Sequence, residues 1–588
     1  NAVYRLTYMN GEAVHATQYY NAGAAVSSNS ITPPSMDNAA FSHWEGLPDS
    51  MPAQDVTVTA NSTPIPPTIT TTSPLPSGAA QKAYSVQIKA TGTKPITFAI
   101  LSGALPAGLT LNESTGEITG TPTEAGSSTV TIRAQNDQGY DDEQFTIAVS
   151  DEMPGSGTLS DPYKISKASH LIKFAEKVNE ATSERFYAVL MADIELNDTS
   201  DWEDWDTDAP ANIWTPIGIN SKHVFKGGFD GNNHTVSGVY INSTEDYKGL
   251  FGYISFVTTV KNLNLAKSYI KGKDNVGGIC GTLMNLCKLD NCQNAATIHG
   301  ERNVGGVCGS VSVTNASIPN CENDGGVWGS ECVGGIAGTN AGTIGGCRNS
   351  GMVRGRQGGR NVGGICGDNT SIVSNAYNTG FVAGDNGTGG ICGAMNGMTT
   401  KTATLTGVYN NGAVAGPSNS AAICGVTNAY CALSNCYYLN SSSDKGIGYN
   451  AEDAYATVSK SAEQAASGEV AYLLGTAFGQ MLGSDTYPVF RSSDGENAVY
   501  QLVYMNETEP HAAQYYNAGA AISAADVAVP KKSGHCFSHW EALPVSMPAG
   551  DTTTTAEFVP IKTPSAPQGL TATSGDAQTA LIWTTPAD

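Results

Sequence analysis

The strongest constraint on this chain is a short apolar motif that returns through its centre. Six copies follow one another at intervals of 26 to 32 residues: VGGICG at 276, VGGVCG at 304, VGGIAG at 333, VGGICG at 362, TGGICG at 388 and SAAICG at 420. KGLFGY at 248 fits one interval earlier. A unit of this length cannot bury its own apolar face, so successive copies must stack. Strand-sized runs between Gly and Asn turns therefore predict a parallel β-solenoid.

Composition argues against two classes of partner. The 588 residues hold 30 Lys and Arg against 53 Asp and Glu, a net charge of −23. Binding to nucleic acid depends on clustered basic residues, and a bilayer is crossed by roughly 20 consecutive apolar residues. We therefore expect neither a nucleic-acid partner nor membrane insertion. The opening residues lack the pattern of a signal peptide, so we expect a piece of a longer protein.

A second repeat flanks the centre. Residues 1–60 and 497–556 align without gaps and are identical at 35 of 60 positions. Alternating runs such as YRLTYM and DVTVTA predict strands. With FSHW near the middle and LPxSMPAxD near the end, each copy resembles the internalin-type B repeat, a small β-grasp-like module of bacterial surface proteins. The resemblance implies such modules at 1–64 and 494–562.

Two further segments resemble β-sandwich modules. Residues 65–151 begin with a Pro/Thr-rich linker and continue with LPAGLTLNESTGEITGTPTEAG, which resembles the Ig-like sandwich repeated in bacterial surface proteins. The end of the chain, 563–588, contains APQGLTATSGDAQTALIW and resembles the truncated start of a fibronectin type III domain. Neither resemblance implies catalysis.

The central region, 152–493, carries a family resemblance of its own. FKGGFDGNNHTVSGVYI, WTPIG and the closing GQMLGSDTYPVF resemble the GLUG-motif solenoids of adhesins and of the non-catalytic parts of large surface proteases. The expected fold class is all-β: a right-handed parallel β-helix flanked by small β-grasp-like repeats and an Ig-like β-sandwich.

Stacking turns equivalent repeat positions into ladders, and two of these ladders hold most of the cysteines. Cys is replaced by Ala in the first slot and by Ala and Val in the second, as expected of a small buried apolar site. We predict buried thiols, with disulfides and a metal cluster as the alternatives. The first slot reads Cys280, Cys308, Ala337, Cys366, Cys392 and Cys424, and the second reads Cys292, Cys321, Cys347, Ala376, Val408 and Cys436.

Polar residues form three more ladders. Asn tolerates left-handed turns, and its amide can bond up and down a stack, so the Asn positions are interpreted as turn ladders. The charged positions alternate in sign, as expected of stacked ion pairs on the surface. The ladders are Asn294, Asn323, Asn349, Asn378 and Asn410; Asn275, Asn303 and Asn361; and Asp274, Arg302, Glu331 and Arg360.

One outward ladder is a candidate binding site. It holds Arg348 and then Tyr377, Tyr409 and Tyr437 on the last coils. Exposed aromatic faces are a usual platform for sugar rings, and exposed apolar patches often mark binding sites. The alternative is that residues 445–490, which include the helical stretch SAEQAASGEVAYLLG, fold back over the tyrosines.

An acidic, Trp-bearing stretch before WTPIG is a candidate Ca²⁺ site. Asp201, Asp204, Asp206 and Asp208 could supply the six to eight oxygens that Ca²⁺ takes. Their spacing is not that of an EF-hand loop, and the alternative is a solvated insertion. We predict no other cofactor.

The chain contains no HExxH, GxSxG or P-loop motif. Parallel β-helices do host carbohydrate-active enzymes, so fold alone leaves an enzyme open. Asp230 and His234, with Asp193 or Glu195, would be the first catalytic candidates, but we interpret them as the entry turn of the solenoid family. No residue is therefore assigned a catalytic role.

The resemblances together imply an elongated, extracellular protein of the bacterial cell surface. The predicted function is that of an adhesin whose β-helix binds host glycans or glycoproteins without catalysis. Two alternatives stay open: a carbohydrate-active β-helix enzyme (a glycoside hydrolase or polysaccharide lyase), and a passive stalk for a larger surface protein. A carboxylate cluster on one face would favour the enzyme, and an aromatic groove would favour binding.

Overall fold

The computed structural model describes residues 2–181, 183–449, 457–562, 568–575 and 578–584. The chain folds as two compact units, Asn1–Pro154 and Gly155–Asp588. Strands account for nearly all of the regular structure, which confirms the predicted all-β class. The parallel β-solenoid lies in the second unit and makes about nine turns.

The first unit opens with a small four-stranded sheet. The strand that starts the chain lies between an antiparallel neighbour and a parallel one, and Leu6, Tyr8, Trp44 and Met51 fill the core against one face. The strands are Val3–Asn10, Ala13–Asn21, Ala39–Glu45 and Val56–Pro64.

Two sheets then form a sandwich. Phe145, Ile147 and Ile132 are buried between them, because alternate residues of the long hairpin point inward. One sheet consists of Tyr84–Gln87, Leu109–Leu111 and Glu117–Gly120, and the other of Gly78–Ala79, Thr97–Gly103, Gly126–Asn136 and Gly139–Ser150. Thr68–Ile69 and Ala90–Thr91 form a separate short pair.

The solenoid begins beneath helix α1, Ala168–Glu180. Leu171, Phe174 and Val178 recur at helical spacing and are buried over the first coils, where Phe174 meets the ring of Phe225 at 5.9 Å. The first strands are Tyr163–Ile165, Phe186–Leu190, Ile194–Glu195, Gly227–Asp230, Thr235–Ser237 and Tyr240–Asn242.

The repeated motif supplies one complete parallel sheet. Its strands pair in chain order, each with the equivalent residues of the next coil, so Cys280 faces Cys308 and Cys366 faces Cys392. The strands are Phe251–Ile254, Cys280–Leu283, Cys308–Val311, Ala337–Asn340, Cys366–Asn369, Cys392–Met395, Cys424–Thr427 and Ile447–Tyr449.

A larger parallel sheet closes the remaining sides of each coil. Its first set of strands contains the second Cys slot, and its second set precedes or includes the paired glycines of the motif. The first set is Thr259–Lys271, Lys288–His299, Ser317–Pro319, Glu322–Asn323, Thr343–Asn349, Ile372–Asn378, Ala403–Asn410, Cys431–Leu439 and Thr457–Lys460. The second is Asp274–Gly277, Arg302–Gly305, Val327–Gly334, Val353–Gly363, Val382–Ala383, Asn386–Gly389, Val414–Ala415 and Ser418–Ala421.

The predicted ladders are present. The cysteines of both slots are free and buried, as predicted. Burial favours the neutral thiol and raises the pKa of Cys347 to about 12. Asn323 donates to the amide oxygen of Asn349 at 2.7 Å, while Asn303 takes a left-handed turn at φ 54°. The charge ladder forms the pairs Arg302–Asp274 and Arg360–Glu331.

Two short helices close the far end of the solenoid. Helix α2, Ala462–Ala466, starts with a reciprocal bond pair between Ser461 and Gln464, and helix α3 is Glu469–Leu474. Gly468 joins them at φ 89°, a backbone angle that other residues rarely adopt. We call residues 461–482 the end cap.

The second copy of the duplicated module follows with the sheet order of the first. Its strands are Val499–Asn506, Glu509–Asn517, His535–Glu541 and Thr552–Pro560. A short pair, Phe478–Gly479 with Val489–Phe490, links it to the end cap. Gln568–Gly575 and Gln578–Thr584 pair antiparallel, and the rest of the predicted fibronectin segment lies outside the described residues.

Candidate functional site

The tyrosine ladder has the predicted register, but the end cap covers it. Tyr377, Tyr409 and Tyr437 pair across consecutive coils and retain only 6, 0 and 8% of their surface. Leu474 and Phe478 pack against these rings. Burial raises the pKa of Tyr377 to about 12. The folded-back arrangement is therefore the one observed, and the three rings form a core rather than an open platform.

Arg348, the first member of that ladder, is held by carboxylates. Burial disfavours the charge on its guanidinium, but the bonds to Glu322 at 2.7 Å and to Asp324 at 2.8 Å outweigh it and raise the pKa of Arg348. Its donors are already engaged on the preceding coil.

The acidic stretch forms a turn anchored by tryptophan. Trp205 is buried, its indole N–H donates to Asp201 at 3.2 Å, and its ring meets the edge of Tyr240 at 5.9 Å. Within the part of the chain that the structure describes, no three acidic, His or Cys side chains come together as a metal site. The proposed set Asp201, Asp204, Asp206 and Asp208 is therefore not gathered, because the turn is built to bury Trp205.

The entry-turn residues also have structural partners. His234 Nδ1 lies 3.1 Å from Asp193, which accepts the Thr235 N–H as well, and these bonds lower the pKa of Asp193. Asp230 pairs with Lys261 at 3.1 Å. These contacts join one coil to the next.

A line of aromatic rings starts at Trp205 and leads to a different site. Tyr240 stacks on Tyr269 at 5.9 Å, Tyr269 lies 5.4 Å from the His299 ring, and His299 stacks on Trp328 at 4.8 Å and 13°. Each step crosses to the next coil, so the rings run along the solenoid. The line ends at the half-buried indole of Trp328.

A groove opens where this line ends. In register with Trp328 the next coils place Arg354, Ala383 and Ala415, so two positions with small side chains follow two with large ones. The space encloses about 570 Å³. We call it the Trp328 groove; its lining includes Trp328, Arg354, Arg356, Gln357, Ala383, Asp385, Ala415 and Pro417.

An outward loop forms one wall of the groove. Gly355 and Arg360 pair with Gly329 and Glu331 of the preceding coil. Four residues separate Gly355 from Arg360, but only one separates Gly329 from Glu331, so the later coil carries three extra residues. Asp385 on the next coil holds this loop: its carboxylate accepts the Gly358 N–H, and its own N–H donates to Gly359 at 3.2 Å. Arg356 and Gln357 lie exposed in this loop.

The charge of the groove contrasts with that of the whole chain. Arg354 and Arg356 have no ion-pair or hydrogen-bond partner among the described residues, whereas Arg302 and Arg360 in the charge ladder are paired. Burial, followed by the nearby charges of Arg356 and Lys271, lowers the pKa of His299 to about 4. The imidazole is therefore neutral near pH 7, and the positive charge of the groove lining comes from the guanidinium groups of Arg354 and Arg356.

The groove lining offers groups that can bind a ligand. Glycoside hydrolysis uses two carboxylates about 5 to 10 Å apart. The described lining contains one, Asp385, which is occupied with the loop backbone. An aromatic ring and two guanidinium groups around an open space can stack on a planar or ring-shaped ligand and pair with an anion.

Sequence reasoning did not identify this groove. The signal is present in the run VRGRQGGRNVGG, which is longer than the equivalent VWGSECVGG, aligns Arg354 with Trp328 and places Arg356 in the extra length. The step from Trp328 to Ala383 becomes visible only once the coils are aligned in register.

Comparison with known proteins identifies one module. Residues 66–150 match the family described as "Putative Ig domain", which confirms the Ig-like prediction there. A "Putative Gly-rich membrane protein" of Evansella cellulosilytica is 36% identical over 117 residues, 20% of this chain and 12% of that protein. "Halomucin" of Haloquadratum walsbyi is 26% identical over 129 residues, 22% of this chain and 1% of that protein. The chain thus matches a small part of these relatives' length.

Among solved structures, a "putative immunoglobulin A1 protease" from Bacteroides ovatus has 21% identity and a TM-score of 0.38, over 57% of this chain and 94% of that one. Among the described residues, no helix has the length and apolarity to cross a bilayer.

Proposed function

We propose that this protein is a bacterial cell-surface adhesin that binds host glycans or glycoproteins, without catalysis, in the Trp328 groove. The observation that carries the proposal is the pair of unpartnered guanidinium groups, Arg354 and Arg356, beside the half-buried Trp328 ring. The ring supplies a flat face for a sugar, and the arginines supply donors for its substituents.

The charge of these donors indicates the class of glycan. Arg forms bidentate pairs with carboxylate and with phosphate-like groups, so sugars that carry carboxylate or sulfate fit better than neutral ones. The chain as a whole has a net charge of −23 and repels anions, so the attraction must be local. Binding should therefore weaken as salt rises.

The surface location rests on module resemblance. Residues 1–64 and 494–562 belong in this proposal to internalin-type B repeats, 152–493 to a GLUG-type β-helix and 563–588 to the start of a fibronectin type III domain. Similarity to a "Putative Gly-rich membrane protein" and to "Halomucin" supports the same location.

A glycan array with matched neutral, carboxylated and sulfated members tests the proposal on the full chain. We expect binding to anionic members, with a loss of about tenfold or more in Trp328→Ala and in the double variant Arg354→Ala/Arg356→Ala. Arg360→Ala is the matched control, because Arg360 lies on the same strand but is paired with Glu331. Tyr437→Phe controls for the buried ladder.

The same glycans are assayed for new reducing ends and unsaturated products. Product formation would replace the adhesin by a carbohydrate-active enzyme. Absence of both binding and products across the array would favour a passive stalk, and binding that survives Trp328→Ala would place the site elsewhere.

A further inference from the structure

The second copy of the duplicated module uses one face to pack on the end cap. Tyr515 lies 5.5 Å from the ring of Tyr472, and the Tyr472 hydroxyl donates to Asp551 at 2.8 Å. Asn517 accepts the N–H of Leu482 at 2.9 Å and donates to the carbonyl of Gln480 at 2.8 Å. These contacts join a ring pair, a carboxylate and a two-way amide in one docking face.

The first copy presents the same face with its tyrosine largely exposed. Tyr19, Asn21 and Asp55 stand where the second copy has Tyr515, Asn517 and Asp551. Tyr19 is 67% exposed and Val3 is 60% exposed, whereas the equivalent Tyr515 and Val499 are half-buried. The backbone geometry is also shared, since Asp55 accepts the N–H of Arg5 at 2.8 Å and Asp551 accepts that of Gln501 at 2.9 Å.

A single charged difference separates the two faces. In the second copy Gln501 donates to the Tyr515 hydroxyl at 3.3 Å, and the first copy has Arg5 at this position. The end cap carries Glu469 near Tyr515; burial raises the pKa of that phenol, and the carboxylate adds to the rise. Glu469 itself pairs with Lys460 at 2.7 Å. Arg5 lies 3.7 Å from Asp55 in an exposed ion pair, and a partner carboxylate at the start of such a helix would add a second anion beside its guanidinium.

We propose that residues 1–64 dock, through Val3, Tyr19, Asn21 and Asp55, onto the helical end cap of another β-solenoid. The partner presents an aromatic ring with a hydroxyl, a backbone carbonyl and a carboxylate at the positions of Tyr472, Gln480 and Glu469. The module is then a connector that joins the end of one solenoid to the start of the next unit. This inference is independent of the glycan proposal.

The test vacates the end cap in one protein and supplies the first module from another. The acceptor is the full chain with Val499→Asp and Tyr515→Asp, which displace its own second module, and Tyr19→Asp, which disables its first. Val3 and Tyr19, the equivalents of Val499 and Tyr515 in the first copy, are exposed there, so the fold of the module does not require these side chains to be buried. The donor is the unmodified chain. Sedimentation velocity of the mixture measures complex formation, and increased proteolysis within 483–497 reports the vacated cap.

We expect a one-to-one complex that weakens about tenfold or more when the donor carries Tyr19→Asp. Arg5→Gln in the donor should weaken it less, and this effect should vanish when the acceptor carries Glu469→Gln. No complex with a vacated cap, or a complex that the Tyr19→Asp donor forms equally well, would overturn the proposal. If the acceptor loses the circular dichroism of the folded chain, Tyr515→Ala replaces Val499→Asp and Tyr515→Asp, and Tyr19→Asp is kept.

Discussion

At the scale of single residues, Tyr409 shows that a side chain on the outward ladder becomes part of a hydrophobic core where the end cap covers it. Its side chain is fully buried, and its hydroxyl has no hydrogen-bond partner among the described residues. A buried hydroxyl without a partner loses its hydration and gains nothing in return. The ring, in contrast, contributes a large apolar area to the cluster with Val470 and Leu474.

Tyr409→Phe should therefore leave the free energy of unfolding unchanged or raise it by up to about 1 kcal/mol, since it removes only the unsatisfied hydroxyl. Tyr409→Ala should lower it by about 3 to 5 kcal/mol, because it opens a cavity. Urea unfolding followed by circular dichroism measures both. Tyr430→Phe, at an exposed position, is the control. A loss of stability in Tyr409→Phe would contradict the reading of the ladder as core.

His299 couples the aromatic line to pH. Its pKa is lowered to about 4 in the folded chain, mainly by burial, against an ordinary value of 6.5. Between these values the unfolded chain binds a proton that the folded chain does not. Above pH 6.5 this group does not lower the free energy of unfolding, and as the pH drops from 6.5 towards 4 it lowers that free energy progressively.

After discounting for partial exposure, we expect this group to account for about 1 to 2 kcal/mol of stability lost between pH 7 and pH 4. His299→Gln removes the titration, so the difference in unfolding free energy between variant and wild type should shrink by that amount over the same window. His43→Gln, at an exposed position, controls for the substitution itself. Curves of wild type and His299→Gln that stay parallel from pH 7 to pH 4 would contradict the lowered pKa.

At the scale of elements, the solenoid is held by ladders that cross coils. Four successive amide bonds of 2.7 to 2.8 Å join Asn294, Asn323, Asn349, Asn378 and Asn410 inside the stack. All five side chains are buried with at most 1% exposure. Each of the three central amides accepts from the previous coil and donates to the next, so removal of a central member leaves two neighbours with unmet partners.

Asn349→Ala should lower the free energy of unfolding of the solenoid by about 2 to 4 kcal/mol. Asn410→Ala should cost less, because Tyr438 occupies the next position and the ladder ends there. Asn386→Ala is the control, since its bond to Asn419 at 2.9 Å is exposed, and it should change stability by less than about 0.5 kcal/mol. Chemical denaturation of the four proteins compares them. Equal costs for Asn349→Ala and Asn386→Ala would contradict the ladder's role.

The sequence predicts such ladders because the repeat period fixes which residues stack. Cys280 over Cys308, and Arg302 over Asp274, follow from that period alone. The cover over Tyr409 does not, because α2 and α3 lie beyond the last repeat and no period positions them. The Trp328 groove depends on a loop length and on a change of side-chain size between coils, which a motif search does not register.

At the scale of the whole molecule, the duplicated module offers an internal comparison. The fold of the two copies is the same, so sequence identity predicts it for both. Their surroundings differ, because the second copy contacts the end cap while Tyr19 in the first is exposed. Sequence identity carries no information on this difference, since the end cap belongs to the unit on one side only.

The two tyrosines therefore give a matched pair of substitutions in one chain. Tyr515→Ala should lower the free energy of unfolding of the end cap by about 1 to 2 kcal/mol, because it removes the ring contact with Tyr472. Tyr19→Ala should change stability by less than about 0.5 kcal/mol, since its side chain is 67% exposed. Limited proteolysis between residues 475 and 497 measures opening of the end cap, and only Tyr515→Ala should accelerate it. Equal protection in both variants would mean that the bonds of Asn517 hold the second module without help from the ring pair. Equal acceleration would mean that the first copy also has an occupant in the monomer, and the basis for treating its face as free would be lost.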